Sequence, residues 1–171
     1  MSEPRAQRPY MPGYGIVGPD KGSGLLPWSW AVEQLTASKN YWVATTCPDG
    51  RPHAMPVWAV WDQGALWFSS GGRSRKVRNL AADPRCVVTT DSADDPVVVD
   101  GVAEIVTDHP ALARFIELTN AKYQAGLTVD FLDPAVNATI RVRPVSAFGL
   151  RHEDFTGSPT RWRFDRDRPE G

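Results

Sequence analysis

The chain has 171 residues, with 19 lysines and arginines against 20 aspartates and glutamates, which gives a net charge of −1 at pH 7. This length suits one domain with a sizeable core, and the balanced charge provides no basic field that would attract nucleic acid. Because no apolar run approaches the roughly 18 residues of a membrane span and no signal peptide is evident, we expect a cytoplasmic protein without a membrane partner.

Proline and glycine recur through residues 1–27, so we expect an extended N-terminal arm ahead of a single domain at 28–171. The domain begins with a predicted helix at 28–38, for which Ser29 is a candidate N-cap. The patterns and turn signals that follow predict, in chain order, strands at 41–47, 52–61 and 65–69, a helix at 73–82, strands at 85–91 and 97–107, a helix at 108–124, and strands at 138–145 and 147–151. Six or more strands in meander order with few helices indicate a mainly β protein built as a small antiparallel barrel.

The predicted strand at 52–61 is mostly apolar on both of its faces. We therefore expect the barrel interior to cover one face and a ligand or a partner subunit to cover the other. Pro56 has no N–H to donate to a ladder, so it marks an edge strand or a bulge. Two interpretations stay open: the free backbone groups meet the polar edge of a heterocycle, or the proline only protects an edge strand from aggregation.

The junction between the strand at 65–69 and the next helix combines two hydroxyls, two glycines and four cations. The cations are Arg73, Arg75, Lys76 and Arg78. Free backbone N–H groups and the positive end of the helix dipole converge at such a junction, which suits a phosphate group. In the alternative interpretation, solvent alone surrounds the cations of an ordinary surface helix. We expect the inward face of this helix to consist of Val77, Leu80 and Ala81.

The cysteines and histidines provide little evidence of a disulfide, a metal site or a catalytic residue. Cys47 and Cys86 lie in strand-like runs, so we expect buried thiols in a reducing compartment rather than a disulfide. The three histidines show no metal-ligand spacing, and we expect no metal. His53 could donate a proton, but a lone histidine on a strand is more often a surface residue, and we assign no catalytic residue.

Several short motifs occur in a fixed order between residues 41 and 107. They are Ala44-Thr45-Thr46, Pro48-Asp49-Gly50-Arg51-Pro52, Met55-Pro56-Val57, Leu66-Trp67-Phe68-Ser69-Ser70, Ser74-Arg75-Lys76, Asn79-Leu80, Asp83-Pro84-Arg85 and Val102-Ala103-Glu104. In order and spacing, this stretch resembles the flavin-binding split-barrel family. That family includes the pyridoxamine 5'-phosphate oxidases and the deazaflavin (coenzyme F420)-dependent reductases of actinobacteria.

The resemblance implies a six-stranded antiparallel split barrel, similar to the FMN-binding barrel of pyridoxamine 5'-phosphate oxidases. It also implies a homodimer with cofactor sites at the subunit interface. The residues that it implies for the cofactor phosphate are Ser69, Ser70, Arg75 and Lys76. The residues that it implies beside the flat ring are Met55, Pro56, Val57 and Trp58. Trp162 and Arg163, close to the C-terminus, complete the expected cofactor-binding set.

Two departures from the family pattern bear on the expected activity. Pyridoxamine 5'-phosphate oxidases carry a glutamine after the basic helix and a C-terminal histidine, and neither has a counterpart here, so pyridoxamine oxidation is not expected. F420 is longer and more anionic than FMN, and Arg73 and Arg78 supply extra cations for it. We expect an F420-dependent oxidoreductase that transfers a hydride to a small unsaturated or quinone-like substrate. An FMN-dependent oxidoreductase of the same fold and a non-catalytic flavin or F420 binder are the alternatives.

Overall fold

The computed structural model describes residues 3–165, so residues 1–2 of the predicted arm and 166–171 of the predicted domain lie outside it. The α-helices of the described chain are α1 (Trp28–Ala37), α2 (Arg75–Ala82) and α3 (His109–Tyr123). Its strands are β1 (Arg5–Gln7), β2 (Tyr41–Thr46), β3 (Pro52–Val57), β4 (Val60–Asp62), β5 (Ala65–Gly71), β6 (Arg85–Thr90), β7 (Val97–Val106), β8 (Asn137–Gly149) and β9 (Thr160–Arg163).

All of these strands belong to one antiparallel sheet, in the order β1-β9-β8-β7-β6-β2-β3, with β5 paired to both β4 and β8. Within residues 3–165 no ladder joins β3 to β5, so the sheet does not close. The predicted mainly β class is confirmed, but the sheet has nine strands rather than six. The sequence patterns missed the short β1–β9 ladder and treated β3 and β4 as one strand.

The chain changes partners in the middle of the predicted strand at 52–61. β3 pairs with β2, whereas β4 pairs with β5, and Trp58 and Ala59 form the corner between them. The meander predicted for this region is therefore interrupted at the corner. β3 is the last strand in the order, so of the two positions predicted from Pro56, an edge strand or a bulge, the structure shows the edge.

Toward the C-terminus, two predicted strands form a single strand in the structure. The runs predicted at 138–145 and 147–151 form one continuous strand, β8, which pairs along its length with β7. A register shift between Asp100 and Gly101 of β7 accommodates this long pairing. β8 also pairs with β5 and β9, so it connects the β4–β5 pair and the β1–β9 pair to the rest of the sheet.

The core lies where one face of the sheet packs against α1 and α2. Its largest fully buried side chains include Trp162, Tyr41, Phe68 and Leu35. α1 follows the predicted helix closely, but its N-cap is Pro27 and no side chain caps it, so Ser29 lies within the first turn. A second apolar cluster forms where α3 packs on β4 and β5.

The two other helices begin at capping side chains. Asp108 accepts a hydrogen bond from the backbone N–H of Ala111 at 3.0 Å, as its position before α3 predicts. Ser74 accepts one from the N–H of Val77 at 3.4 Å, so α2 begins two residues later than predicted. On α2 the predicted inward position of Ala81 is wrong: that residue is exposed, and Asn79 is buried instead.

Both cysteines are free and buried, as the sequence predicts. Cys47 directly follows β2, and Cys86 lies inside β6. Burial raises the pKa of the Cys86 thiol to about 12, so this group stays protonated at neutral pH.

Candidate functional site

β3 and the second half of β5 each have an edge without a ladder partner in the described chain, and we call the region between these two edges the seam. β5 pairs with β4 only at residues 65–67, so the edge of residues 68–71 that faces away from β8 has no ladder partner in the described chain. Among the strands of residues 3–165, β3 pairs only with β2. Two strand edges with unpaired backbone groups therefore border the seam, and α2 begins directly after β5.

A small hydroxyl and ammonium cluster lies where β5 leads into α2. Lys76 Nζ donates a hydrogen bond to Ser70 Oγ at 3.0 Å, and Ser70 Oγ lies 3.1 Å from Ser74 Oγ. Ser69 Oγ donates to the carbonyl oxygen of Ala138 at 3.3 Å instead. The structure thus brings together Ser70 and Lys76 of the predicted phosphate set, and adds the capping Ser74 to them.

The ammonium of this cluster has no carboxylate counter-ion within residues 3–165. Partial burial lowers the pKa of Lys76, and no carboxylate of residues 3–165 forms an ion pair with its ammonium. The guanidinium groups of Arg73 and Arg75 are exposed nearby in the chain, also without an ion-pair partner among the described residues. The first-turn N–H groups of α2 add partial positive charge. This arrangement is suited to binding an anion with several oxygens.

Sequence reasoning missed the residue that docks α2 onto the sheet. Asn79 is 2% exposed, and its Nδ2 donates to Thr45 Oγ1 at 3.0 Å and lies 3.6 Å from Cys47 Sγ. These contacts fix the helix against the end of β2. A polar residue between the inward-facing Val77 and Leu80 was the available signal for this role.

An apolar strip runs along the other side of the seam. In the ladder with β2, Met55 pairs with the buried Val43 and Val57 pairs with the buried Tyr41, so both lie on the inner face. Pro56 lies on the outer face. Met55 is nevertheless 42% exposed, because β3 is the edge strand. Val57 packs against the core, so the inner face is partly covered as predicted, whereas Ala54 and Pro56 of the outer face are exposed within residues 3–165.

The C-terminal residues of the predicted set lie elsewhere. Trp162 is fully buried in the core, and its Nε1 donates to the carbonyl oxygen of Leu26 at 3.2 Å. An indole without exposed surface cannot stack on a ligand, so we remove Trp162 from the candidate site. Arg163 is exposed on β9, which pairs with residues 146–149 of β8, whereas β5 pairs with residues 137–142 of that strand.

A family model described as pyridoxamine 5'-phosphate oxidase matches residues 31–149. The match spans β2 through β8, and so includes both edges of the seam, α2 and the corner after β3. The chain belongs to the pyridoxamine 5'-phosphate oxidase family.

Solved structures with the same fold include proteins of different description. An F420 reductase is 31% identical, with a TM-score of 0.56 over 67% of this chain and 93% of that chain. A conserved hypothetical protein from Mycobacterium tuberculosis is 24% identical, with a TM-score of 0.64 over 85% and 93%. The heme storage protein HutZ from Vibrio cholerae is 20% identical, with a TM-score of 0.56 over 68% and 88%. The last two likenesses concern the fold alone, and no curated protein matches the chain.

Residues that border the seam are among those that the resemblance to the pyridoxamine 5'-phosphate oxidase family implies for cofactor binding. The seam is therefore the candidate functional site. Among residues 3–165, no three histidine, cysteine or acidic side chains are grouped in a way that could hold a metal ion. None of the helices in that range combines the length and the apolar character that crossing a bilayer requires.

A second polar cluster, which the sequence did not reveal, holds the corner between β3 and β4. Lys122 Nζ donates to Tyr41 Oη at 2.7 Å and to the carbonyl oxygen of Ala59 at 3.1 Å. Tyr123 Oη accepts from the N–H of Ala59 at 3.0 Å and lies 2.8 Å from the carbonyl oxygens of Ala59 and Lys39. The end of α3 thus supplies partners to a backbone segment that lies outside the strand ladders.

Burial of this cluster makes stability depend on pH. Desolvation lowers the pKa of Lys122 from 10.5 to about 8, with Asp91 acting weakly in the opposite direction. Between these values the unfolded chain binds more protons than the folded one, so deprotonation favours the folded state. We expect the free energy of unfolding, relative to Lys122→Met, to increase by about 1–2 kcal/mol from pH 7 to pH 10, after allowance for partial exposure.

Urea denaturation of the two proteins at both pH values measures this difference. Burial raises the pKa of Tyr41 and of Tyr123, so both phenols stay largely protonated in the folded protein up to pH 10, and their titration in the unfolded chain is common to both proteins. A difference between wild type and Lys122→Met that is the same at pH 7 and pH 10 would show that the ammonium is solvated.

Proposed function

We propose that this protein is an F420-dependent reductase that transfers a hydride to a small unsaturated or quinone-like acceptor. The observation that carries the proposal is the half-buried ammonium of Lys76, held on Ser70 beside the start of α2 without a carboxylate partner in the described chain. The 31% identity to an F420 reductase, over two thirds of this chain, supports the choice of cofactor.

Different residues at the seam would bind different parts of such a cofactor. Ser70, Arg75 and Lys76 would bind its phosphodiester, with Ser69 beside them. Arg73 and Arg78 are exposed on the same segment and would contact the anionic tail.

The other edge of the seam would hold the ring. Met55 and Val57, which share the inner face of β3, would flank it, and Arg163 would reach it only from β9. The reduced deazaflavin, when bound, supplies the hydride, and the acceptor also takes one proton from water. The protein contributes binding, orientation and exclusion of competing reactions.

FMN is the alternative cofactor, since Ser70 and Lys76 would bind its phosphate equally well. Competition between the two cofactors tests the choice: the protein is titrated with each, followed by ring fluorescence, and each is then displaced by the other. We expect F420 to bind more tightly, because only its tail contacts Arg73 and Arg78. Tighter binding of FMN would favour the FMN-dependent oxidoreductase, and binding of neither cofactor would reject the proposal.

A non-catalytic binder of flavin or F420 is the second candidate. It is favoured by the fold shared with a heme storage protein and by the lack of an acid–base pair at the seam of the described chain. Reduced cofactor is mixed with the protein and with a quinone or an enone, and cofactor oxidation is followed. Binding of the cofactor without turnover of any acceptor would support storage.

We also propose a homodimer in which a second copy covers the outer face of β2 and β3. Trp42 is 46% exposed there and pairs in register with Pro56. An exposed indole beside an apolar edge strand is typical of a subunit interface. The free, buried thiols of Cys47 and Cys86 support a reducing compartment, such as the cytoplasm, for this dimer.

Trp42→Glu should convert the dimer into a monomer, because burying a carboxylate without a partner in an apolar contact costs several kcal/mol. Sedimentation equilibrium gives the mass of the wild type, of this variant and of the control Tyr10→Glu, whose side chain is 93% exposed in the arm. A Trp42→Glu protein with the wild-type dimer mass would move the interface to another face.

A further inference from the structure

Trp58 occupies a special position at the corner between β3 and β4. Its indole lies flat on the ring of Tyr123, with centroids 4.5 Å apart and an angle of 5° between the planes. The residue is nevertheless 50% exposed. One face of the indole is therefore covered by Tyr123, and much of the remaining surface is an accessible flat apolar area.

The backbone beside this indole is held on both of its polar groups. Ala59 donates its N–H to Tyr123 Oη, and its carbonyl oxygen accepts from Lys122 Nζ. The exposed ring is thus part of a connected unit of α3 and the corner, rather than a side chain on a free loop. Such preorganisation reduces the entropy that a ligand must overcome on binding.

The corner lies at the far end of the apolar strip from α2. Asn79 docks α2 at Thr45, whereas Val57 pairs with Tyr41, four residues away along β2. At about 3.3 Å per residue in a strand, these two levels are about 13 Å apart. A cofactor whose phosphate is bound at α2 would therefore extend along Met55 and Val57 toward Trp58.

We infer that the exposed face of the Trp58 indole, held on Tyr123, is the stacking surface for a flat, conjugated acceptor. This inference rests on the proposed function and reassigns Trp58 from the cofactor to the acceptor. Stacking between planar conjugated rings favours flat acceptors, such as naphthoquinones, over small puckered enones. Trp58 is then a residue that determines acceptor specificity.

The test compares two acceptors, 2-methyl-1,4-naphthoquinone and 2-cyclohexen-1-one, in wild type, Trp58→Leu, Trp58→Phe and the control Tyr10→Leu. We expect Trp58→Leu to raise the KM for the naphthoquinone about tenfold and to leave that for the enone within about twofold. Trp58→Phe, which keeps a flat ring on Tyr123, should show a smaller increase. The Kd of the cofactor should stay within about twofold of wild type in every variant.

Three results would overturn the inference: an equal rise in KM for both acceptors, a large rise in the Kd of the cofactor, or conversion of Trp58→Leu to a monomer. The last result would assign the indole to a subunit contact. If wild type reduces neither acceptor, the proposed reductase function fails by itself. Equilibrium dialysis with the naphthoquinone then decides this inference: about tenfold weaker binding to Trp58→Leu supports it, and equal binding overturns it.

Discussion

Lys76→Ala should weaken binding of the phosphorylated cofactor about 10- to 150-fold, the largest effect that we expect of a single change at the seam. A hydrogen bond to a charged group contributes about 1.5–3 kcal/mol, and here the ammonium already lies on Ser70 with no carboxylate of the described chain to neutralise it. The Kd is measured by fluorescence titration, for F420 and for FMN separately.

Two further variants separate the role of this ammonium from general electrostatics. Lys21→Ala removes one positive charge from an exposed loop and should leave the Kd unchanged. Lys76→Arg keeps the charge and should recover part of the affinity, although a planar guanidinium fits a site shaped for an ammonium less well. A wild-type Kd for Lys76→Ala would place the phosphate somewhere else.

Trp162→Ala should destabilise the protein by about 3–5 kcal/mol, the range for truncation of a large aromatic side chain in a core. Trp162 is fully buried and has edge-to-face contact with Trp28, with centroids 5.4 Å apart. Its Nε1 also donates to the carbonyl oxygen of Leu26, which the substitution leaves without this partner. Urea denaturation, followed by far-UV circular dichroism, measures the loss.

The conservative Trp162→Phe should cost less than alanine, because it keeps most of the apolar volume and loses the N–H donor. Tyr10→Ala, at a side chain that is 93% exposed, should change stability little. Equal midpoints for wild type and Trp162→Ala would mean that the segment around β9 is not part of the cooperative unit.

Local patterns predicted much of the fold. The alternation in β2 and the cap before α3 are readable because neighbours in sequence decide them. The division of the run at 52–61 was not readable, since apolar residues continue through it. What divides it is the partner exchange of the strands and the contacts of Ala59 with Lys122 and Tyr123, which lie more than 60 residues later in the chain.

The candidate site shows the same difference between local and distant causes. Ser70 and Lys76 meet because a short turn joins β5 to α2, and this was predictable from their spacing. The burial of Asn79 depends on Thr45 in another strand, and helical periodicity alone could not select it over Ala81. Trp162 lies in a polar stretch of sequence, so only the assembled core reveals that it is buried.

The rates at which the two buried thiols are alkylated report local opening of the molecule. An alkylating reagent needs an exposed thiolate, so neither sulfur reacts until its surroundings open. Cys47 lies beside Asn79 and becomes accessible when α2 detaches, and Cys86 of β6 lies in the same apolar cluster as Val77 and Leu80 of that helix. The labelling of both thiols, followed by mass spectrometry, therefore reports how often this one helix leaves the sheet.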